Sequence, residues 1–497
     1  MSLDSSVPFR RLRGVASAAL CLCLVLLVGA LPASAQNITG RIGGRVTDSS
    51  GGVLPGVTVT LLNEATGISR TVITDESGTY LATSLQVGAY SVTAELEGFR
   101  RQQRTGISLT ADGSITADFA LGVGQLTESV EVTAAIGETV NRTSGEVSRT
   151  IDTQQIKDLA FNGRNYLELA SLIPGAVATD FDPLALATSL SVTGQSINGS
   201  RTNTNNLTID GTSNVDSGSN GSQVNNVSLS FIEQVKIQTS NFSAEVGRNS
   251  GAAVNVVTRS GTNQFRGTAR FDIRDEKFDA PNHFAPRDAN GNKTKPPLEF
   301  RNFEGALGGP IIRNKLFFFG GQQYRIINRY TNPTRQTLPT TAELNGDFSV
   351  RLRGADGIVG TADDGVLRDP LTGQQFPGNV IPQDRITANG RAFGNIYRAM
   401  QGKAASFTDT PTANNTTFQE YNPFKSRQEI LRLDYQATEK QRFYGRYIHD
   451  EYVLTEPFGT FSGAAMPTVP TDRSRPGTSY QVGHTYVASA TLINEAK

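Results

Sequence analysis

Along most of this chain apolar residues return at every second position in short runs, the spacing of a strand with two unlike faces. From Ile38 to Leu121 the runs are brief: "GRIGGRVTD", "GVTVTLLN", "RTVITD", "GTYLATSL", "GAYSVTAEL" and "ITADFAL". Val57, Val59 and Leu61 alternate with Thr58, Thr60 and Leu62. Asp48-Ser-Ser-Gly-Gly, Pro55-Gly56 and Asp75-Glu-Ser-Gly78 separate the runs with residues that suit turns. About seven such strands in one short segment predict an antiparallel sandwich.

From Phe265 the same period carries different residues. Phe265, Gly267, Ala269, Phe271 and Ile273 alternate with Arg266, Thr268, Arg270, Asp272 and Arg274. The design repeats with Phe303, Gly305 and Leu307 before a turn at Arg313-Asn314-Lys315, and Leu316, Phe318 and Gly320 after it. Further on, Leu431, Leu433 and Tyr435 alternate with Arg432, Asp434 and Gln436, and Phe443 and Tyr447 alternate with Arg442 and Arg446. Tyr480, Val482 and Tyr486 start another pair. Short turns alternate with long excursions, the longest from Thr331 to Ser426. This is the pattern of a transmembrane β-barrel, apolar toward lipid and polar toward the lumen, with short periplasmic turns and longer outer loops. A soluble sheet packed on a second sheet would alternate in the same way, so a secreted or surface-attached adhesion or carbohydrate-binding protein is the rival reading.

The stretch between the two β regions has another texture. In "IDTQQIKDLAFNGRNYLELASLIPGA", Leu159, Tyr166, Leu169, Ala170 and Ile173 recur at helical spacings, and Pro174-Gly175 closes the pattern. Beyond Ser191 the chain is rich in Asn, Ser, Thr and Gly, with β-runs "NNLTIDG" and "FIEQVKIQT" within and after it. An α+β domain is expected here.

Composition sharpens this picture at a few points. The chain has 497 residues and no net formal charge, too long for one ordinary domain and not basic enough for a nucleic-acid partner. Arg10, Arg11 and Arg13 precede an apolar run from Val15 to Leu31, and Ala33-Ser-Ala35 offers a cleavage site, so residues 1–35 read as an export signal. A retained membrane anchor is the alternative. Both cysteines, Cys21 and Cys23, lie in that run, so the exported chain would hold neither a disulfide nor a thiolate metal site. Nucleophile-elbow, phosphate-loop, dinucleotide and H-E-x-x-H motifs are absent, and the three histidines are scattered at His283, His449 and His484. No enzyme, cofactor, metal site or catalytic residue is expected. Asp356, Asp363 and Asp364 in "GADGIVGTADDG" read as a solvated loop rather than a calcium site, since their spacing does not fit the EF-hand.

Several stretches carry family resemblances. "GRVTDSSGGVLPGVTVTL" and "TDESGTYLATSLQVGAYSVTAELEGFR" resemble the carboxypeptidase regulatory-like domain, a transthyretin-like β-sandwich often grouped with carbohydrate-binding-like folds. Tyr80, Tyr90 and Phe99 read as packing rather than as a sugar platform. "TESVEVTAA" resembles a TonB box, the extended peptide through which outer-membrane receptors pair with a periplasmic energy transducer; Thr127, Glu128, Val130, Val132, Thr133 and Ala134 would be the coupling residues. The alternative is one more sandwich strand. Phe231 to Asn263 resembles the closing segment of the plug domain of TonB-dependent receptors, with Glu233, Gly247, Gly251, Arg259 and Gly261 as its marked positions. Gly247 and Gly251 would permit close backbone approach in a filled lumen. "AELNGDFS", "RDPLTGQQFPGNVIPQDRI" and "GGPIIRNKLFFFGGQQYR" resemble the Oar-like subgroup of these receptors.

The resemblances imply a mainly β chain. Residues 1–35 would be the signal peptide, 36–124 the sandwich, 125–147 a linker with the TonB box, 148–261 the plug and 262–497 the start of a transmembrane β-barrel. They imply a TonB-type transducer, outer-membrane lipid and an unidentified extracellular ligand as partners, with the sandwich in the periplasm. About six or seven wall strands are countable, fewer than the smallest bacterial barrels use. The sequence stops at "TLINEAK" without a terminal aromatic residue, and the expectation is a piece of a longer receptor.

Overall fold

The computed structural model describes residues 38–124, 129–133 (backbone), 145–159, 163–178, 195–218, 220–243, 246, 250–281, 283–285, 287, 290–354, 356–362, 364–459, 466–489 and 492–497. The expected export signal and Thr127, Glu128, Ala134, Gly247 and Asp363 lie outside them.

Eight strands build the sandwich: β1 (Thr39–Asp48), β2 (Thr58–Asn63), β3 (Ser69–Ile73), β4 (Thr79–Gln86), β5 (Gly88–Glu95), β6 (Arg101–Leu109), β7 (Ser114–Thr116) and β8 (Phe119–Leu121). One sheet runs β4-β1-β7 with β8 also on β1; the other runs β3-β2-β5-β6 and ends on β9 (Ser129–Thr133). The sandwich is not wholly antiparallel, because β7 and β8 return beside β1 in its own direction and β9 lies parallel to β6. Val57, Val59 and Leu61 are fully buried with Ile42, Val46, Tyr80, Tyr90, Val92 and Phe119, while Phe99 packs at the margin. The expected inward face is therefore the observed one.

The second domain has a central sheet ordered β10 (Val147–Asp152), β15 (Ile232–Ser240), β16 (Ala253–Thr258), β13 (Asn206–Ile209), β14 (Thr212–Ser213), with a separate hairpin of β11 (Ala176–Ala178) and β12 (Gln195–Ile197). The single helix read from the sequence is two short ones, α1 (Thr153–Asp158) and a 3₁₀ turn over Tyr166–Leu172. Each starts at its own capping box, Asp152 with Gln155 and Asn165 with Glu168. Between them Arg164 sits at φ 52°, a left-handed conformation that a helix interior does not admit. Tyr166, Leu169, Phe231, Val235 and Val256 centre the core.

The third region is an antiparallel sheet of long strands in the order β17 (Arg266–Asp275), β18 (Leu298–Ile312), β19 (Leu316–Arg329), β23 (Phe424–Thr438), β24 (Gln441–Glu456), β26 (Gly477–Val487), β27 (Ile493–Ala496), with short β25 (Thr471–Ser474) beside β24. It curves around the second domain, so that Phe319, Ile430 and Ile448 join that domain's core. Short turns at Arg313–Lys315 and between Thr438 and Gln441 mark one end. At the other end the excursion after β19 folds into a small unit of its own: β20 (Thr334–Gln336), β21 (Ser406–Phe407), β22 (Thr416–Phe418), α2 (Thr341–Leu344) and α3 (Ala388–Lys403), packed around Leu338, Met400 and Phe418. No helix among the described residues is long and apolar enough to cross a membrane; this leaves strands aside.

Candidate functional site

The wall turns its faces opposite to a soluble sheet. On β23, Leu431, Leu433 and Tyr435 are exposed, while Gln428, Arg432 and Asp434 are buried. On β24, β19 and β18, buried positions include Arg446, Asp450, Gln323, Arg325, Asn302 and Glu304, whereas Phe443, Tyr324, Phe303 and Leu307 look outward. Tyr480 and Val482 on β26 are exposed and Gln481 is buried. Charged groups are rarely buried unless paired, so their partners define what fills the concave side.

Those partners come from the second domain. Asp210 follows β13 in a left-handed turn, φ 48°, and is completely buried. Its carboxylate accepts from Arg446 Nη1 at 2.6 Å and Arg432 Nη1 at 3.4 Å, and from the Thr258 N–H at 2.9 Å and hydroxyl at 2.7 Å. Arg432 also grips Asp434 with two hydrogen bonds of 2.8 and 3.0 Å and donates to the Thr258 carbonyl. Gln481 donates to the Asp210 carbonyl at 3.1 Å. Burial alone would raise the Asp210 carboxyl, but Arg446, Arg432 and the two Thr258 donors overcome it and hold the group below the usual carboxylate range.

A second cluster has the charges reversed. Arg164 Nε lies 3.2 Å from Glu304 and 3.4 Å from Asp272 of the wall. Glu304 also accepts from Ser230, Asn302 and Gln323, and Arg325 donates to the Arg164 carbonyl at 3.3 Å. A third contact joins Asn225 Nδ2 to Asp450 at 2.6 Å, beside Gln428, which bonds the Ser228 N–H and the Asn226 carbonyl. Polar groups thus tie the inner domain to the strands at three places. Each ion pair between the inner domain and the strands joins residues more than a hundred positions apart, so sequence reading placed Arg432, Asp434 and Arg446 on a polar face without finding Asp210, Arg164 or Glu304.

The marked closing segment lies at the start of this interface. Glu233 is half-buried on β15, 3.9 Å from Arg259, whose Nε donates to the Ile232 carbonyl at 3.2 Å. Gly251 packs so closely that a Cβ there would stand 2.6 Å from Asn205 Oδ1 and 2.8 Å from the Thr204 carbonyl. Gly261, where the chain passes into β17, abuts the backbone of Gly309 and Phe318, and a side chain would strike both. Val130, Val132 and Thr133 fall in β9, away from these contacts.

The sandwich is anchored to the short-turn end. Asn263 donates to the Thr66 carbonyl at 2.6 Å, its N–H reaches the Ala65 carbonyl at 2.9 Å, and its side-chain oxygen accepts from the Asn314 N–H at 2.9 Å. Lys236 of β15 forms ion pairs with Asp112 of the sandwich at 3.0 Å and Glu146 at 2.7 Å.

Three family models divide the chain among them: a carboxypeptidase regulatory-like domain at residues 41–122, a TonB-dependent receptor plug domain at 139–254 and an outer membrane β-barrel domain at 257–497. The chain belongs to the TonB-dependent receptors. The inner domain is thus the plug and the curved sheet an outer-membrane wall. The receptor is 30% identical over 307 residues to the TonB-dependent transporter Oar of Myxococcus xanthus, covering 59% of this chain and 27% of that protein. It therefore spans about a quarter of the length of that curated relative. Solved structures similar to it include the outer membrane transporter YddB from Escherichia coli, with TM-score 0.38 and 12% identity over 68% of this chain and 36% of that one. The siderophore receptor PirA from Acinetobacter baumannii gives TM-score 0.36 and 12% identity over 68% and 37%. The family is one of receptors and transporters rather than an enzyme class.

Proposed function

We propose that the receptor takes up a ligand across the outer membrane by rearranging its plug within the wall. A TonB-type periplasmic transducer would supply the energy, acting on Thr127, Glu128, Val130, Val132, Thr133 and Ala134. The ligand would bind to the outer loops and the outer side of the plug. The observation that carries this reading is the plug–wall interface, in which Asp210 faces Arg432 and Arg446 while Arg164 faces Glu304. Buried ion pairs fix register yet add little net stability, because desolvation offsets their attraction. A plug seated by such contacts beside the apolar ones of Phe319, Ile430 and Ile448 is held in one register, and its displacement exchanges many polar partners for water. The adhesion reading requires the other wall face to pack on a second sheet, and Leu431, Leu433, Tyr480 and Val482 of that face are exposed instead.

The test uses Ser228→Cys, a plug position fully buried against Gln428. In growing cells, labelling by a membrane-impermeant maleimide should be faster when the transducer is present than when its gene is deleted. Equal labelling in the two strains would contradict transducer-driven rearrangement.

A further inference from the structure

The coupling segment is already part of a sheet. β9 pairs in parallel with β6 through Arg101↔Ser129, Gln102↔Val130, Gln103↔Glu131, Arg104↔Val132 and Thr105↔Thr133. It ends the order β3-β2-β5-β6-β9, and its other edge meets no strand among the described residues. We propose that the sandwich is the holder of the coupling segment: β6 keeps β9 extended, and the periplasmic partner adds a strand to β9's open edge as the next strand of the same sheet. This rests on the coupling reading above.

An edge strand presents a row of unpaired N–H and C=O groups, which is a template for an extended peptide. Strand addition draws its affinity from main-chain bonds, and a template fixed beforehand spares the partner the entropy of ordering it. Adding to the open edge leaves the β6 ladder intact, whereas trading β6 for the partner breaks one ladder before making another. Place agrees with chemistry. The sandwich is held at the short-turn end by Asn263 and Asn314, the periplasmic end of such a wall. From β9 the chain runs to Glu146, which grips Lys236 at 2.7 Å and Gln238 at 2.9 Å, and then into β10, itself the edge strand of the plug sheet. A load applied to the composite sheet would reach the plug through that strand.

The experiment exploits the absence of cysteine beyond Cys23. Gln103→Cys and Glu131→Cys are introduced together in the full chain, purified in detergent, at facing positions of the parallel ladder. Mild oxidation should form the bridge. Binding of a purified periplasmic domain of a TonB-type transducer is then measured before and after reduction. The proposal expects the bridged form to bind no more than about threefold more weakly than the reduced form. Any greater loss on bridging, or failure of the bridge to form, would overturn it. If the bridge forms and neither form binds, the coupling reading fails, and this proposal fails with it although the β6–β9 pairing stands.

Discussion

The sandwich and the wall share a period and turn opposite faces inward. In the sandwich, Val57, Val59 and Leu61 are buried and Leu62 is 38% exposed; in the wall, Arg432 and Asp434 are buried and Leu433 is 41% exposed. Hydrophobic burial alone explains the first, since removing apolar area from water is the dominant favourable term in folding. It cannot explain the second in water. There the wall would hide its charges and display its aromatics, and only a lipid surround makes both choices favourable. Alternation therefore reports that a strand has two environments, while the partners of its polar face report which solvent lies on the other side.

The largest expected effect comes from removing the counter-charge that the wall arginines share. Asp210→Ala leaves Arg432 and Arg446 buried without it and should cost about 3–5 kcal/mol of plug docking, read from urea unfolding in detergent. A cost below about 1 kcal/mol would show that the cluster is not desolvated as described. Next, Leu433→Arg and Leu62→Arg set two equally exposed leucines against each other. The wall substitution should cost about 2–4 kcal/mol at mid-membrane depth, and the sandwich substitution no more than about 0.5 kcal/mol. Equal, small costs would remove the distinction between the two regions.

Acid should also separate the regions. The Asp210 carboxyl is held below its ordinary value, about 3.9 when unperturbed. Its contribution is thus complete above that value and is lost as pH falls through the depressed one. Plug docking should hold from about pH 8 to 5 and weaken below about pH 4. The sandwich has no buried carboxylate among its described residues, so its core should respond less, as measured by near-ultraviolet circular dichroism of each region's tyrosines. The smallest effect is local: Asp152→Ala removes the side-chain cap of α1 and should cost about 1 kcal/mol, detectable as faster amide exchange of the plug's first turn.

Much of the architecture was legible because period two survives in short windows. The faces of Val57–Leu62 and Leu431–Gln436 stand as read, and the hairpin turn at Arg313-Asn314-Lys315 lies where punctuation put it. β6 was missed because "RQQRTGISL" opens with five polar residues and buries only Ile107 and Leu109. The "ITADFAL" run reads as one strand and is two, β7 and β8, both on β1. α3 was not read from the outer excursion, since Gly390, Gly394 and Gly402 dilute its pattern and only Gly394 and Met400 are buried. The plug–wall charges were invisible for a different reason: a sequence shows which face is polar, not which distant residue meets it. The left-handed Arg164 and Asp210 both fall beside an Asn or Gly, the one local signal that pointed toward those turns.

The central claim is that the wall's apolar face meets lipid while its charged face meets the plug. Spin labels placed singly from Ile430 to Tyr435 in the membrane-embedded receptor test it most directly, by collision with oxygen and with a polar nickel chelate. The account predicts high oxygen and low nickel accessibility at Leu431, Leu433 and Tyr435, and low accessibility to both at Ile430, Arg432 and Asp434. Nickel access at the leucines, or shielding of those positions from oxygen, would contradict it.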